Sequence, residues 1–243
     1  MRTPTGDLSG GPSSELGRTQ PIFGPELGEF DASDRRNAAE GDDKGVKTGT
    51  TTVGIKTAEG VVLATDMRAS LGRMVSSKDV QKVEQIHPTG ALTIAGGVSA
   101  AQNLISTLRA ETNLYEARRG NDMSMQALST LTGNLLRTGA FYIVQPILGG
   151  VDETGAHVYS IDPLGSVIEE EYTVTGSGSQ YALGVLEQEY RDDLTVEEAK
   201  TAATKAIKSA VERDVASGNG INIAVVTEDG VEITRHKEFD DLL

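Results

Sequence analysis

The feature that most restricts the fold is the order in which short strand-like runs alternate with pairs of amphipathic helices. The strand-like runs span 51–55, 61–66, 80–86, 91–95, 141–149, 156–161, 167–174, 221–227 and 231–234. The helical patterns span 99–115, 124–135, 181–190 and 195–215. This order predicts an α+β protein, a four-layer αββα sandwich in which two antiparallel sheets pack face to face and are flanked by helices.

Local signals add detail to this prediction. Ser99 is expected to cap the first helix, and Thr195 with Glu198 forms a capping box for the last one. Residues 67–77 are expected to form a loop, and the strands that follow the first two helices are expected to form the second sheet. The C-terminal residues 238–243 are expected to be frayed.

The first 49 residues differ in composition from the rest of the chain. They contain 9 of the 28 Gly, 4 of the 7 Pro and 15 charged side chains, with few aliphatic residues. Such a segment cannot bury enough apolar surface to form a core. We therefore expect residues 1–49 to be a flexible tail or prosegment and residues 50–243 to be the folded domain.

Charge and cysteine content exclude several classes of function. A formal net charge of −14 opposes binding to nucleic acid and to acidic membrane surfaces. No apolar run approaches the roughly 20 residues of a membrane helix, so we expect a cytoplasmic protein with no nucleic-acid or membrane partner. With no Cys and three scattered His residues, we expect no metal and no cofactor. An acidic surface poor in lysine is also typical of proteins dissolved in concentrated salt.

A cluster of hydroxyl side chains, Thr50, Thr51 and Thr52, lies at the junction between the tail and the first strand. If the peptide bond between Gly49 and Thr50 were cut, Thr50 would carry both a hydroxyl and a free α-amine. The reference pKa of that amine, about 7.7 to 8.0, suits a general base at neutral pH. A Thr run also favours an ordinary edge strand, and spacing alone leaves both interpretations open.

Six motifs in one order along the chain carry a resemblance to a known family. They are Thr50-Thr51-Thr52-Val53-Gly54-Ile55, Ala64-Thr65-Asp66-Met67-Arg68, Lys82, Thr93-Ile94-Ala95-Gly96, Gly176-Ser177-Gly178-Ser179 and Arg213-Asp214-Val215-Ala216-Ser217-Gly218. From Thr50 to about Thr234 the sequence resembles the β subunits of 20S proteasomes, specifically the archaeal type. The resemblance implies an N-terminal nucleophile hydrolase fold, in agreement with the predicted sandwich.

The resemblance implies that Gly49-Thr50 is a self-cleavage site and that Thr50 is the catalytic nucleophile, with its freed amine as the proton acceptor. It places Asp66 and Lys82 beside Thr50. A cation there would lower the pKa of the hydroxyl and of the amine, and Asp66 would fix Lys82. From the residues alone, Asp66 and Lys82 also fit ordinary solvent-exposed strand positions.

Four further residues correspond to the family's supporting groups. Gly96 matches the residue whose backbone N–H faces the developing oxyanion, and Ser177, Asp214 and Ser217 match residues that hydrogen-bond around the nucleophile. The residues alone also fit turns and a helix end stopped by Gly218.

The positions that match the family's substrate-binding pocket are mostly small or aliphatic. They are Ala69, Ser70, Val80, Glu84, Ile94 and Val98. An apolar pocket favours cleavage after hydrophobic residues, as in chymotrypsin-like activity. Glu84 leaves a second preference open, because an acid at the pocket mouth can also accept basic side chains.

The family implies a threonine endopeptidase in a seven-membered β ring, stacked with α-subunit rings in a 28-subunit α7β7β7α7 barrel. A proteasome-activating ATPase would feed unfolded protein substrates to the sites inside. The alternatives are a noncatalytic scaffold subunit of the same ring, the related bacterial two-component enzyme, and a small-molecule amidase of the same superfamily. The Gly-Ser-Gly-Ser and Arg-Asp-x-x-Ser-Gly motifs favour the archaeal type over the bacterial one.

Overall fold

A computed structural model describes residues 49–141 and 143–243, and the predictions for residues 1–48 lie outside this part of the chain. The described residues form twelve strands: β1 Thr51–Lys56, β2 Val61–Asp66, β3 Ala69–Leu71, β4 Met74–Ser77, β5 Val83–His87, β6 Gly90–Thr93, β7 Ile147–Asp152, β8 Gly155–Ile161, β9 Val167–Glu170, β10 Tyr172–Gly176, β11 Ile221–Thr227 and β12 Gly230–His236. They also form helices α1 Val98–Arg119, α2 Met125–Arg137, α3 Ser179–Glu189 and α4 Val196–Arg213, and a 3-10 helix at Asp240–Leu242.

Two five-stranded antiparallel sheets lie at the centre of this part of the chain. The first sheet has the strand order β10-β1-β2-β11-β12, and the second has the order β5-β6-β7-β8-β9. Strands β3 and β4 form a separate hairpin. The central position of β1 and β2 in the first sheet matters for function, because the candidate site lies at one end of these strands.

Three apolar clusters hold the layers together, and the alternation of side chains along β2 shows how. Val62 and Ala64 pack against α3 and α4, whereas Val61 and Leu63 pack against the second sheet. Helices α1 and α2 cover the other face of the second sheet through buried residues such as Leu104. The predicted four-layer αββα sandwich is therefore confirmed.

The prediction of which strands form each sheet was partly wrong. Strands β5 and β6 precede the first helices but pair with β7 in the second sheet, so that sheet is not built only from later strands. The run 167–174 divides at Glu171, after which β10 leaves the second sheet and pairs with β1. Strand β7 begins only at Ile147, because Val144 forms an isolated bridge to Gly96 instead. Residues 67–77, predicted as a loop, contain the β3–β4 hairpin.

The predicted helix ends were partly correct. The capping box of Thr195 and Glu198 is present, but α1 begins after Gly97, and Ser99 lies inside the helix. Helix α4 ends at Arg213, because Asp214 adopts an extended conformation. The C-terminus is ordered rather than frayed, since Phe239 and Leu242 pack against the α4 cluster.

Two Gly→Ala substitutions are expected to change the free energy of unfolding in opposite directions, because one glycine lies between the two sheets and the other is exposed on a helix. A Cβ at Gly149 would lie 2.7 Å from Cγ1 of Val61, whereas a Cβ at Gly184, on the exposed face of α3, would meet nothing within 4 Å. Gly149→Ala is expected to lower the free energy of unfolding by about 1–3 kcal/mol through overpacking. Gly184→Ala is expected to raise it by up to about 1 kcal/mol. Urea unfolding of both variants tests this, and equal effects would contradict the packing described.

Candidate active site

The ends of neighbouring strands bring Thr50, Asp66 and Lys82 together. Thr50 precedes the first residue of β1, and Asp66 is the last residue of β2, which pairs with β1 through Thr52 and Thr65. Lys82 precedes β5 of the second sheet, and its carbonyl accepts a hydrogen bond from Ile94 N. The site therefore lies where one end of the first sheet meets one end of the second.

The carboxylate of Asp66 is fully buried and accepts hydrogen bonds from several elements. Its Oδ1 accepts from the Thr50 hydroxyl at 2.6 Å, from Thr51 N at 3.1 Å and from Lys82 Nζ at 2.7 Å. Its Oδ2 accepts from Arg68 N at 3.0 Å and from Gly218 N at 2.9 Å. These five donors satisfy a charge that would otherwise be costly to bury.

Lys82 lies directly against the hydroxyl of Thr50. Its Nζ is 2.5 Å from Thr50 Oγ1 and forms a buried ion pair with Asp66. Burial lowers the pKa of Lys82 below its ordinary value, because desolvation of the ammonium outweighs the attraction of Asp66. A proton donor with a lowered pKa is thus held beside a hydroxyl oxygen, where its positive charge would stabilise an alkoxide.

A second hydrogen-bond network surrounds the backbone of Thr50. Thr50 N donates to Ser177 Oγ at 3.2 Å, and Ser177 Oγ donates to Asp214 Oδ2 at 2.6 Å. Ser217 Oγ also lies 2.6 Å from Asp214 Oδ2 and 2.8 Å from Thr51 Oγ1. All three predicted supporting residues therefore contact one another or Thr50. The extended backbone of Asp214, which ends α4 earlier than expected, places its carboxylate between the two serines.

Gly96 forms the turn between β6 and α1 with a backbone conformation that other residues rarely adopt. Its φ is +110°, and a Cβ there would lie 1.7 Å from the carbonyl oxygen of Ile143. Gly96 and Val144 form an antiparallel bridge whose hydrogen bonds come from the flanking residues. Within residues 49–141 and 143–243, the Gly96 N–H has no hydrogen-bond acceptor. An N–H that donates to an oxyanion in a ligand needs to be unpaired in this way.

A cleft of about 370 Å³ opens beside Thr50. Its walls include Gly96, Lys82 and all six residues predicted to bind substrate: Ala69, Ser70, Val80, Glu84, Ile94 and Val98. The cleft thus joins the Thr50 hydroxyl, the Gly96 N–H and the aliphatic side chains of Val80, Ile94 and Val98 in one space.

Several residues in the wall of this cleft were not predicted from the sequence. Helix α1 contributes Gln102, Ile105, Ser106 and Arg109, which recur at the spacing of one helix face. Helical periodicity predicted this helix, but it could not show which face lies over the cleft. Arg109 is the most consequential omission, because it forms an ion pair with Glu84 at 2.9 Å.

Within residues 49–141 and 143–243, no group of three or more His, Asp or Glu residues is arranged to hold a metal ion. In the same part of the chain, no helix is long and apolar enough to cross a membrane.

A sandwich of two antiparallel sheets between helix pairs, with a threonine at the start of a central strand beside a cleft, defines the N-terminal nucleophile hydrolase fold. The family model described as proteasome subunit matches residues 46–226, and the chain belongs to this family. The assignment to this family from its motifs is therefore confirmed.

Several relatives in halophilic archaea are similar over their whole length. The chain is 80% identical to a protein of Halorubrum lacusprofundi, 76% identical to one of Haloferax volcanii and 72% identical to one of Haloquadratum walsbyi. In each comparison the alignment covers 100% of both chains. Each of these relatives is named proteasome subunit beta.

Proposed function

We propose that this chain is a proteolytic β subunit of a 20S proteasome core and that Thr50 is its nucleophile. The observation that carries the proposal is the contact of Thr50 Oγ1 with both Lys82 Nζ and Asp66 Oδ1 at the edge of a cleft. A threonine in a structural role needs neither a buried ammonium nor an adjoining substrate-sized space. Because the ammonium stabilises an alkoxide, this arrangement activates the hydroxyl.

The first substrate is the chain itself, at the bond between Gly49 and Thr50. The Thr50 hydroxyl attacks the Gly49 carbonyl, and its proton passes by way of Asp66 or solvent to the Thr50 nitrogen as the bond between carbon and nitrogen breaks. The acyl group thereby moves from nitrogen to oxygen, and the amine of Thr50 is freed. Water then hydrolyses the ester, which releases the Gly49 carboxylate and restores the Thr50 hydroxyl. Gly49 suits this step because a Cβ there would lie 1.9 Å from Cβ of Ala216 and 2.8 Å from Ser177 Oγ.

After processing, the freed amine takes the proton from the Thr50 hydroxyl as it attacks a substrate carbonyl. Gly96 N–H donates to the oxyanion, and the amine returns its proton to the leaving group. Water then hydrolyses the acyl ester on Thr50 and restores the enzyme. Ser177, with Asp214 and Ser217 behind it, keeps the amine oriented, because Ser177 Oγ is already 3.2 Å from the nitrogen of Thr50.

In this proposal residues 1–49 form a prosegment that masks Thr50 until assembly, and residues 50–243 form the mature domain. The names of the relatives support assembly into a proteasome. The assembly in this proposal has seven-membered β rings between rings of α subunits, with the sites inside a 28-subunit barrel. A proteasome-activating ATPase would supply unfolded proteins in the cytoplasm. The aliphatic wall formed by Val80, Ile94 and Val98 supports cleavage after hydrophobic residues.

Processing is the most direct test of the nucleophile. In particles assembled with an α subunit, the unsubstituted chain is expected to begin at Thr50, whereas Thr50→Ala should keep residues 1–49 because it lacks the attacking hydroxyl. Thr50→Ser retains a hydroxyl and is the matched control, with processing expected. Intact mass and N-terminal sequencing give the result.

An assembled particle in which the unsubstituted chain keeps residues 1–49 would refute the free-amine mechanism and support the noncatalytic scaffold. Peptide hydrolysis that is unchanged by Thr50→Ala would refute the nucleophile. Activity from the isolated subunit, without ring assembly, would favour a small-molecule amidase instead.

The lowered pKa of Lys82 predicts a bell-shaped dependence of kcat/KM on pH. Activity rises as the α-amine of Thr50 loses its proton, with a reference pKa of about 7.7 to 8.0. It falls again as Lys82 deprotonates, because the alkoxide then loses its cation. The fall is expected below about pH 10.4, the ordinary pKa of lysine, since burial lowers the pKa of Lys82.

Lys82→Arg is expected to remove the alkaline limb at some cost in rate, because arginine stays protonated over this range. Lys200→Arg is the matched control, because this partly exposed lysine of α4 pairs with Glu197, and it should leave the profile unchanged. An alkaline limb at or above the ordinary pKa of lysine in the unsubstituted particle would assign that limb to another group. An alkaline limb that persists at the same pH in Lys82→Arg would also assign that limb to another group.

A further inference from the structure

Glu84 is an acidic side chain that a substrate in the cleft would contact. It lies two residues after Lys82 along an extended segment, so both side chains are on the same face, about 7 Å apart along the strand. Among the described residues that line the cleft, Glu84 is the one acid. A free carboxylate here would attract lysine or arginine side chains of a substrate.

The carboxylate of Glu84 is not free, because each of its oxygens has a donor. Oε2 accepts a hydrogen bond from Arg109 Nη2 at 2.9 Å, and Oε1 accepts one from Gln81 Nε2 at 3.2 Å. Glu84 is therefore paired with a cation within the chain itself, before any substrate binds.

Arg109 is held in place by a second contact. Its Nε donates to the backbone carbonyl of Gln85 at 2.7 Å, so the guanidinium binds β5 at two points. Gln102, Ile105 and Ser106 lie on the same face of α1 and also line the cleft. Because its bond to Gln85 already orients the guanidinium, Arg109 loses little further entropy when it neutralises Glu84.

The other cations of the cleft already have partners. Lys82 is paired with Asp66, and Arg68 donates to the carbonyl of Val215 at 2.8 Å and to Asn219 Oδ1 at 2.9 Å. Among the described residues that line the cleft, Glu84 and Arg109 are the two that form an ion pair with each other.

We propose that Arg109 is a specificity-determining residue that neutralises Glu84 and thereby keeps the cleft selective for uncharged, apolar side chains. This inference rests on the proposed peptidase function of the same site. It predicts reciprocal effects. Removing the cation exposes an anion that recruits basic substrates, and removing the anion exposes a cation that recruits acidic ones.

The test measures kcat/KM for peptides that differ only in the residue before the cleaved bond: Leu, Arg or Glu. In assembled particles, Arg109→Gln is expected to raise the Arg-to-Leu ratio about 2- to 5-fold, the range of a partly exposed charge pair. Glu84→Gln is expected to raise the Glu-to-Leu ratio by a similar factor. The double variant Glu84→Gln, Arg109→Gln should return both ratios close to those of the unsubstituted particle.

Arg118→Gln is the matched control, because it removes the same charge from the exposed C-terminal turn of the same helix. It should leave all ratios unchanged. Added salt gives a second readout, because screening should reduce the new preference for Arg in Arg109→Gln. A purely structural defect would lower all three rates together without this dependence on salt.

The outcomes separate the two proposals. If unsubstituted particles hydrolyse none of the peptides, the proposed function fails. If they hydrolyse the Leu peptide but Arg109→Gln and Glu84→Gln leave the ratios unchanged, the peptidase assignment stands and the role of Arg109 is refuted. A rise in the Arg-to-Leu ratio of the same size in Arg118→Gln would also refute it, because the effect would then come from net charge.

Discussion

The buried carboxylate of Asp66 is the group on which the geometry of the site depends. A charge without solvent access needs nearly every lone pair satisfied, and Asp66 obtains its donors from β1, from the segment before β5 and from the loop after α4. Each donor fixes one element relative to β2. The same contacts that make the buried charge tolerable therefore also set the position of the Thr50 hydroxyl and of the Lys82 ammonium.

The sandwich explains why these elements meet at one point. Strand β1 is central in the first sheet, so the residue that precedes it emerges between β10 and β2 rather than at a free edge. The bridge from Gly96 to Val144 ties the turn before α1 to the segment before β7. Backbone hydrogen bonds thus hold the candidate oxyanion donor. Such a donor needs no reorganisation when charge develops opposite it.

Much of the fold could be predicted from local patterns, because hairpin turns and helix periodicity depend on neighbouring residues. The capping box of Thr195 and Glu198 and the four-layer arrangement are of this kind. Local patterns could not predict to which sheet a strand belongs, because both sheets bury similar side chains on both faces. For that reason the change of sheet at Glu171 left no signal in the sequence. A helix cap is also ambiguous when Gly97 can begin the helix without a side-chain bond.

The candidate site shows the same division between local and long-range information. Asp66 is 16 residues from Thr50 and 16 residues from Lys82 along the chain, and no rule of spacing shows that the three meet. Their identification depended on the resemblance to a family. Arg109 matched none of the motifs quoted for that resemblance, and only the packing of α1 over β5 brings it to Glu84.

With Gly49 attached, the chain already holds the proposed catalytic side chains in contact. With Gly49 still attached, Thr50 Oγ1 contacts Lys82 and Asp66, and Thr50 N contacts Ser177. The proposed cleavage therefore does not need to bring these groups together. It changes an amide nitrogen, which cannot accept a proton at neutral pH, into an amine that can. Since the ammonium of Lys82 lies against the hydroxyl of the same residue, its charge would oppose protonation of the new amine and keep it available as a base.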